Sequence, residues 1–246
     1  MKFLFNKITN LKDKILKQRV KNLYKGNLPF GIINSKTAIC FQDNFFYTRI
    51  PKAANSTVIA SLYGNKTGIE LSSTDEVLVI KDSYYTKLDQ LSASQFKALE
   101  SLFKFSLVRH PVTRVTSAYL DKIKNMNAPQ RRLVAHALNK KETASISFDE
   151  FLDYLEHGGI HQNGHWSLQH DLLYFPKKEY DFIGKIENLK EDLAFITEKV
   201  YKKKCGLISV RPHARDEHSL DTISASQLAK IKQIYHSDFE LFEYST

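Results

Sequence analysis

Phe45-Phe46-Tyr47-Thr48-Arg49-Ile50-Pro51-Lys52-Ala53-Ala54-Asn55-Ser56-Thr57 is the stretch that decides the fold of this 246-residue chain. Its first half is aromatic and β-branched, the composition of a strand, and Pro51 ends it. Its second half is a turn of small residues running into Val58, Ile59 and Leu62. These form the apolar face of a helix, which Asn55 or Ser56 can cap and Gly64 is placed to end. The turn has two readings. The N-terminus of a helix presents unpaired N–H groups and a positive dipole end, a cradle for phosphate or sulfate, with Lys52, Ser56 and Thr57 adding a charge and two hydroxyls. Equally, it is an ordinary strand-to-helix turn with a capping serine. It is not a GxxxxGK[ST] loop, and no acidic residue in the sequence is paired with it to hold Mg²⁺.

Strands and helices alternate outward from this stretch. Val77 to Ile80 reads as a short strand, Ser92 to Leu102 as a helix, and Phe103 to Arg109 as a strand. His110-Pro111 stops that strand and opens a helix to about Lys124, since proline at the first helical position lacks only an N–H that would be unpaired anyway. Ser147 with Glu150 makes a capping box for a helix ended by Gly158-Gly159. Asp181 to Ile186 is another strand, Asn188 with Glu191 starts a helix to about Lys204, and Ser224 with Gln227 caps a last helix through Tyr235. The pattern predicts an α/β fold with a parallel sheet flanked by helices on both faces, and ligands at the carboxyl ends of its strands.

The first 27 residues form a separate unit in this reading, with residues 28–246 the main domain. Leu4, Ile8, Leu11 and Ile15, then Leu16, Val20 and Leu23, recur at helical spacing in a segment with eight basic residues against Asp13 alone. That segment carries +7 of the net charge of +9, so the body is nearly neutral. The basic amphipathic helix either docks on the core with a solvated charged face or meets an anionic membrane surface or polysaccharide. Cys40 and Cys205 are too few for a disulfide framework and lie outside any metal-ligand spacing. No stretch has the roughly 20 apolar residues of a membrane span, and the start lacks a secretory apolar region. A soluble, cytoplasmic protein is expected, with the helix a candidate for peripheral membrane contact.

A second constellation is Leu107-Val108-Arg109-His110-Pro111-Val112-Thr113-Arg114-Val115-Thr116-Ser117-Ala118-Tyr119. Arg109 emerges at a strand's carboxyl end and Ser117 lies about two turns into the next helix. A guanidinium fork with a hydroxyl suits a terminal phosphate; alternatively, Arg109 and Arg114 pair with nearby acids.

Together PKAANST and VRHPVTRVTSAY resemble the 5′-phosphosulfate loop and 3′-phosphate motif of the carbohydrate sulfotransferases, in particular the chondroitin/dermatan 4-O-sulfotransferase-like group and its bacterial relatives. Asn163-Gly164-His165-Trp166, Tyr180 to Glu187 with Asp192 beyond, and Ile234 to Ser245 are similar to further segments of that group, in the same order. The resemblance implies a P-loop-like three-layer fold and transfer of a sulfuryl group from 3′-phosphoadenosine 5′-phosphosulfate to a carbohydrate hydroxyl by in-line displacement, with no metal. It places Lys52, Ala53, Ala54, Asn55, Ser56 and Thr57 on the 5′-phosphosulfate with Arg49 beside them. Arg109 and Ser117 fall on the 3′-phosphate, and Arg114 is as suited to bracing the loop as to touching the nucleotide.

Relatives often carry a histidine between the two motifs, as general base, where this chain reads Val79-Ile80-Lys81-Asp82-Ser83-Tyr84-Tyr85. His165 is the preferred replacement, with Asp82 and His161 behind it, although a histidine beside Trp166 is equally suited to a structural or acceptor-binding role. His157, His161, His165 and His170 lack the spacing of a zinc site. Arg211, His213 and Arg215 form a late basic cluster that either closes over the donor or lies in a solvated loop. Two other classes remain as alternatives: a P-loop-like nucleotide kinase, and a non-catalytic polyanion-binding protein. No nucleic-acid-binding motif is present in the body.

Overall fold

The computed structural model describes residues 2–208 and 223–245, with side chains from residue 11 onward. In chain order come α1 (Lys2–Leu23), α2 (Phe30–Ser35), β1 (Thr37–Cys40), β2 (Phe45–Thr48), α3 (Asn55–Thr67), α4 (Thr74–Ser83), α5 (Ala93–Ala98), β3 (Phe103–Val108) and α6 (Pro111–Tyr119). Then follow α7 (Gln130–Ala137), α8 (Phe148–Glu156), α9 (Gln169–Leu172), β4 (Phe182–Lys185), α10 (Leu189–Tyr201), α11 (Ala225–Ile234) and α12 (His236–Leu241). The architecture is α/β, with a central sheet ordered β1-β2-β3-β4. β2, β3 and β4 run parallel, Thr48 opposite Ser106 and Val108 opposite Lys185, while β1 is an antiparallel edge strand.

Alternation along the strands builds the layers, because successive side chains point to opposite faces. Phe45, Tyr47, Phe105 and Leu107 face one side and pack with α3, α4 and α10 through Val58, Ile59, Val77, Leu193 and Ile196. Phe46, Ile39 and Val108 face the other, against Leu99, Tyr174, Phe175 and Val20 of α1. A third cluster, around Val115, Ile123, Phe151, Trp166, Tyr235 and Phe239, joins α6, α8, α11 and α12. At its C-terminal end α1 docks on the sheet layer: Val20 is buried and its carbonyl accepts from the Tyr174 hydroxyl at 2.7 Å. Leu11 and Ile15 stay more than half exposed. Among the described residues no helix is long and apolar enough to cross a membrane.

Three expectations change. Val77 to Ile80 lies within α4: Val77 is fully buried while Leu78 and Val79 are exposed by 56% and 62%, a helical rather than alternating pattern. Its start is fixed by a Ser73–Glu76 capping box, a local signal stronger than the β-branched composition of the run. Gly64 does not end α3. The helix continues to Thr67, and Gly68, at φ +74°, supplies the left-handed residue that closes it. Finally, Asn55 and Ser56 lie inside the first turn of α3, and the cap position is Ala54.

Candidate active site

The turn after β2 is shaped before any ligand arrives. Lys52 and Ala54 both have left-handed backbones, φ +68° and +50°, with Ala53 between them on the ordinary side. Such alternation shapes a concave turn of the anion-binding nest type, in which Ala53 N already donates to Ile50 O at 3.3 Å. Left-handed conformations at non-glycine residues cost about 1–3 kcal/mol each and persist where surroundings impose them. Here Arg114 holds the loop at Pro51, just before the first of them. It is 1% exposed, and its guanidinium donates to Pro51 O at 3.1 Å, Ser167 O at 2.7 Å and Gly164 O at 3.1 Å. Arg114 therefore braces the loop. Ala54 has no side chain with which to cap α3, and Val58 N is the donor to its carbonyl. The N–H groups of Asn55, Ser56 and Thr57 therefore precede the first intrahelical bond, which leaves them available to an anion.

Because β2 and β3 are neighbours running the same way, the second constellation opens beside the first. Arg109 is buried, donates through Nε to Thr113 Oγ1 at 3.0 Å, and through Nη1 reaches Lys52 O at 3.3 Å. Its backbone is clamped by Gln169, whose amide accepts from Arg109 N at 2.9 Å and donates to Arg109 O at 2.8 Å. Gln169 is held in turn by Asp238, which accepts from its backbone N–H at 2.7 Å. His110 N donates to Glu187 at 2.8 Å, and the Tyr244 hydroxyl donates to the same carboxylate at 3.1 Å. The Tyr235 hydroxyl donates to Trp166 O at 2.5 Å. The sequence segments around residues 51, 109, 165, 187 and 238 are thus one hydrogen-bonded body. Ser117 is half-buried on α6, two turns beyond Arg109.

Lys52 points to the end of α6. Its ammonium donates to Asp121 Oδ2 at 2.9 Å, and Lys122 lies 3.3 Å from the same oxygen. Asp121 and Lys122 ride on a π-helical turn, Leu120–Lys124, of a kind found frequently at functional sites. Burial pushes the Asp121 carboxyl up, and the two ammonium groups outweigh it, leaving it below its usual range. His165 shares this field. Its Nδ1 lies 2.8 Å from Asn163 Oδ1, which also accepts from the His165 backbone N–H. Two donors on one amide oxygen put the ring proton on Nδ1 and leave Nε2 as a lone-pair acceptor. Burial first, then the charges of Lys36, Lys122 and Lys52, pull the imidazole down to about 3, so it stays neutral. Lys36 is itself pulled down to about 8, by burial and then Arg49, with Lys122 and Lys87 contributing.

Of the other base candidates, Asp82 pairs with Lys87 at 2.5 Å, and His161 faces Asp171 at 3.9 Å. Arg49 is buried, donates to Ser35 O at 2.5 Å, and lies beside Lys36, whose carbonyl accepts from its backbone N–H at 2.7 Å. The cluster Arg211, His213 and Arg215 lies outside the described residues. Among the described residues no group of three or more His, Cys, Asp or Glu side chains is arranged to hold a metal ion. A groove between α7 and α8, lined by Leu133, Tyr154 and His157, carries none of the expected site residues.

Sequence reasoning missed Lys36, Lys81, Asp121, Lys122 and Gln169. Asp121 stands twelve residues beyond Arg109 and had a signal, one helical turn past Ser117 on the same helix. The others reach the site only through tertiary packing.

A profile of the Sulfotransferase family matches residues 35–245. Among curated proteins, the chain is 28% identical over 225 residues to Carbohydrate sulfotransferase 14 of Danio rerio, covering 82% of this chain and 60% of that one. It is 26% identical over 230 residues to Carbohydrate sulfotransferase 9 of Homo sapiens, covering 81% and 51%. It is also 26% identical over 236 residues to Carbohydrate sulfotransferase 10 of Homo sapiens, covering 84% and 66%. The chain thus spans about half to two-thirds of the length of these relatives. No solved structure matches it. With the family profile covering nearly all of the α/β body and both loops inside the match, this chain belongs to the sulfotransferase family.

Proposed function

We propose that this protein transfers a sulfuryl group from 3′-phosphoadenosine 5′-phosphosulfate to a hydroxyl of a carbohydrate. The observation that carries the reading is the meeting of two cationic, hydroxyl-bearing turns at the tips of adjacent parallel strands, with Arg109 Nη1 on Lys52 O. The donor set fits a nucleotide anionic at both ends. The nest and first turn of α3, residues 52–57, suit the 5′ end, and Arg109 with Ser117 suits the 3′-phosphate. The relatives' names support a carbohydrate as acceptor.

When bound, the donor supplies the sulfuryl group, and its bond to the 5′-phosphate oxygen breaks as the bond to the acceptor oxygen forms. Lys52 meets the charge that grows on that leaving oxygen, and the N–H groups of residues 55–57 hold the rest in place. His165 Nε2 takes the proton from the attacking hydroxyl. With a neutral ring oriented by Asn163 it is in the right form to do so. Lys52, one of the lysines that depress its basicity, is the one an arriving anion meets, so donor binding would make it a better base. Asp121 holds Lys52 in the site meanwhile.

The test is a labelled-donor transfer assay across a glycan panel with the wild-type chain and Lys52→Ala. Removing one charge-stabilising donor costs on the order of 10²- to 10³-fold in rate. A Lys52→Ala variant that turns over at the wild-type rate, or a wild-type chain that ATP with Mg²⁺ stabilises more than adenosine 3′,5′-bisphosphate does, overturns the reading.

A further inference from the structure

Lys81 lies outside both sequence motifs, on α4, yet its ammonium donates to Ser56 Oγ at 2.9 Å. It is 9% exposed. Its placement follows from the register of α4: the capping box at Ser73 sets the start, Val77 turns fully inward, and Lys81, one turn on, faces the same way. A comparison within the chain makes its direction informative. Lys104, equally buried at 7%, donates to Glu100 O and Leu102 O, the ordinary way to satisfy an interior ammonium. Lys81 instead reaches into the first turn of α3, the positive end of a helix, beside the nest that contains Lys52. An ammonium only donates, so Ser56 Oγ accepts from it and the hydroxyl proton is turned elsewhere, its donor strength raised by the adjacent charge.

We propose that Lys81 is a further donor-positioning residue, gripping the 5′ anion of the nucleotide through the Ser56 hydroxyl from outside the loop. This rests on the function proposed above and adds a residue that neither motif contains. Its signature is selectivity for one end of the ligand. The full-length chain and Lys81→Met, which keeps most of the aliphatic stem, are titrated calorimetrically with adenosine 3′,5′-bisphosphate and with adenosine 3′-monophosphate. Charge-assisted hydrogen bonds are about twice as strong as neutral ones, so bisphosphate affinity is expected to fall by about 10-fold or more. The monophosphate, which lacks a 5′ anion, is expected to bind both proteins equally.

Lys81→Gln, polar but uncharged, should lose bisphosphate affinity in the same way, and it carries the comparison should the methionine variant not fold. In turnover the loss should fall on the KM for the donor. If both variants bind the bisphosphate as the wild type does, or lose both ligands equally, Lys81 is structural and the proposal fails while the site reading stands. If the wild-type chain binds neither ligand, the site reading fails with it.

Discussion

Replacing Arg114 by methionine should damage the protein twice over, and the structure sets the scale of both effects. The guanidinium is completely enclosed and bonds to three carbonyls, those of Pro51, Gly164 and Ser167. A buried acceptor left without its donor costs about 1–3 kcal/mol. Three of them sum to about 3–9 kcal/mol, and relief from burying a charge takes part of that back, which puts the net loss at about 3 kcal/mol. For a chain of this size each kcal/mol moves Tm by about 2–4 °C, so Arg114→Met should melt about 6–12 °C lower.

The second effect is local, because the same side chain holds Pro51 O and thereby the strained turn at Lys52 and Ala54. Calorimetric titration with adenosine 3′,5′-bisphosphate, well below the lowered Tm, should show an affinity loss in the folded variant. Were Arg114→Met to melt within about 2 °C of the wild type and bind the nucleotide equally well, the brace would not exist.

His165 and His170 should titrate in opposite directions. With its folded value below the unfolded 6.5, His165 refuses a proton that the unfolded chain accepts, so its contribution makes the protein lose stability as pH falls below about 6.5. His170 is raised, chiefly by its hydrogen bond to Asp238, and stabilises below about 6.5 until pH rises through its folded value. Ring C–H resonances assigned by single histidine-to-asparagine variants check both. A His165 signal that titrates near 6.5 without ligand contradicts the cationic field around it, and bisphosphate should move it upward. Gly184→Ala should be destabilising, since a Cβ there would stand 2.6 Å from Asp192 Oδ2, which accepts from Lys185 N. A chemical melt showing no loss would mean that α10 shifts freely against β4.

The sequence made the helices with local signals easy to read. Ser147 with Glu150 and Ser224 with Gln227 close capping boxes in the structure as expected. The loop after β2 was equally readable, because a strand's composition ends at proline and small residues follow. β1 had no local signature and was missed. β1 is four residues long and exists by pairing with β2 across the turn at Asn44. α4 was misread because Val77-Leu78-Val79-Ile80 has strand composition, whereas burial of Val77 and Lys81 and exposure of Leu78 and Val79 follow the helical period.

At the site, Lys52, Arg109 and His165 could be named because each sits in a compact motif, and the structure brings those motifs into one hydrogen-bonded body. Lys36, Lys81 and Lys122 could not, since a lysine in a helix or turn reads as solvated surface until tertiary packing turns it inward. Arg114 was left between bracing and binding, and its three carbonyl partners decide for bracing.

Whether both turns engage one molecule is answered most directly by a crystal structure of this chain grown with adenosine 3′,5′-bisphosphate. The 5′-phosphate is expected on the N–H groups of Asn55 to Thr57 with Lys52 in contact, and the 3′-phosphate within hydrogen-bond distance of Arg109 and Ser117. A nucleotide bound elsewhere, or with only one phosphate on these residues, would contradict the account.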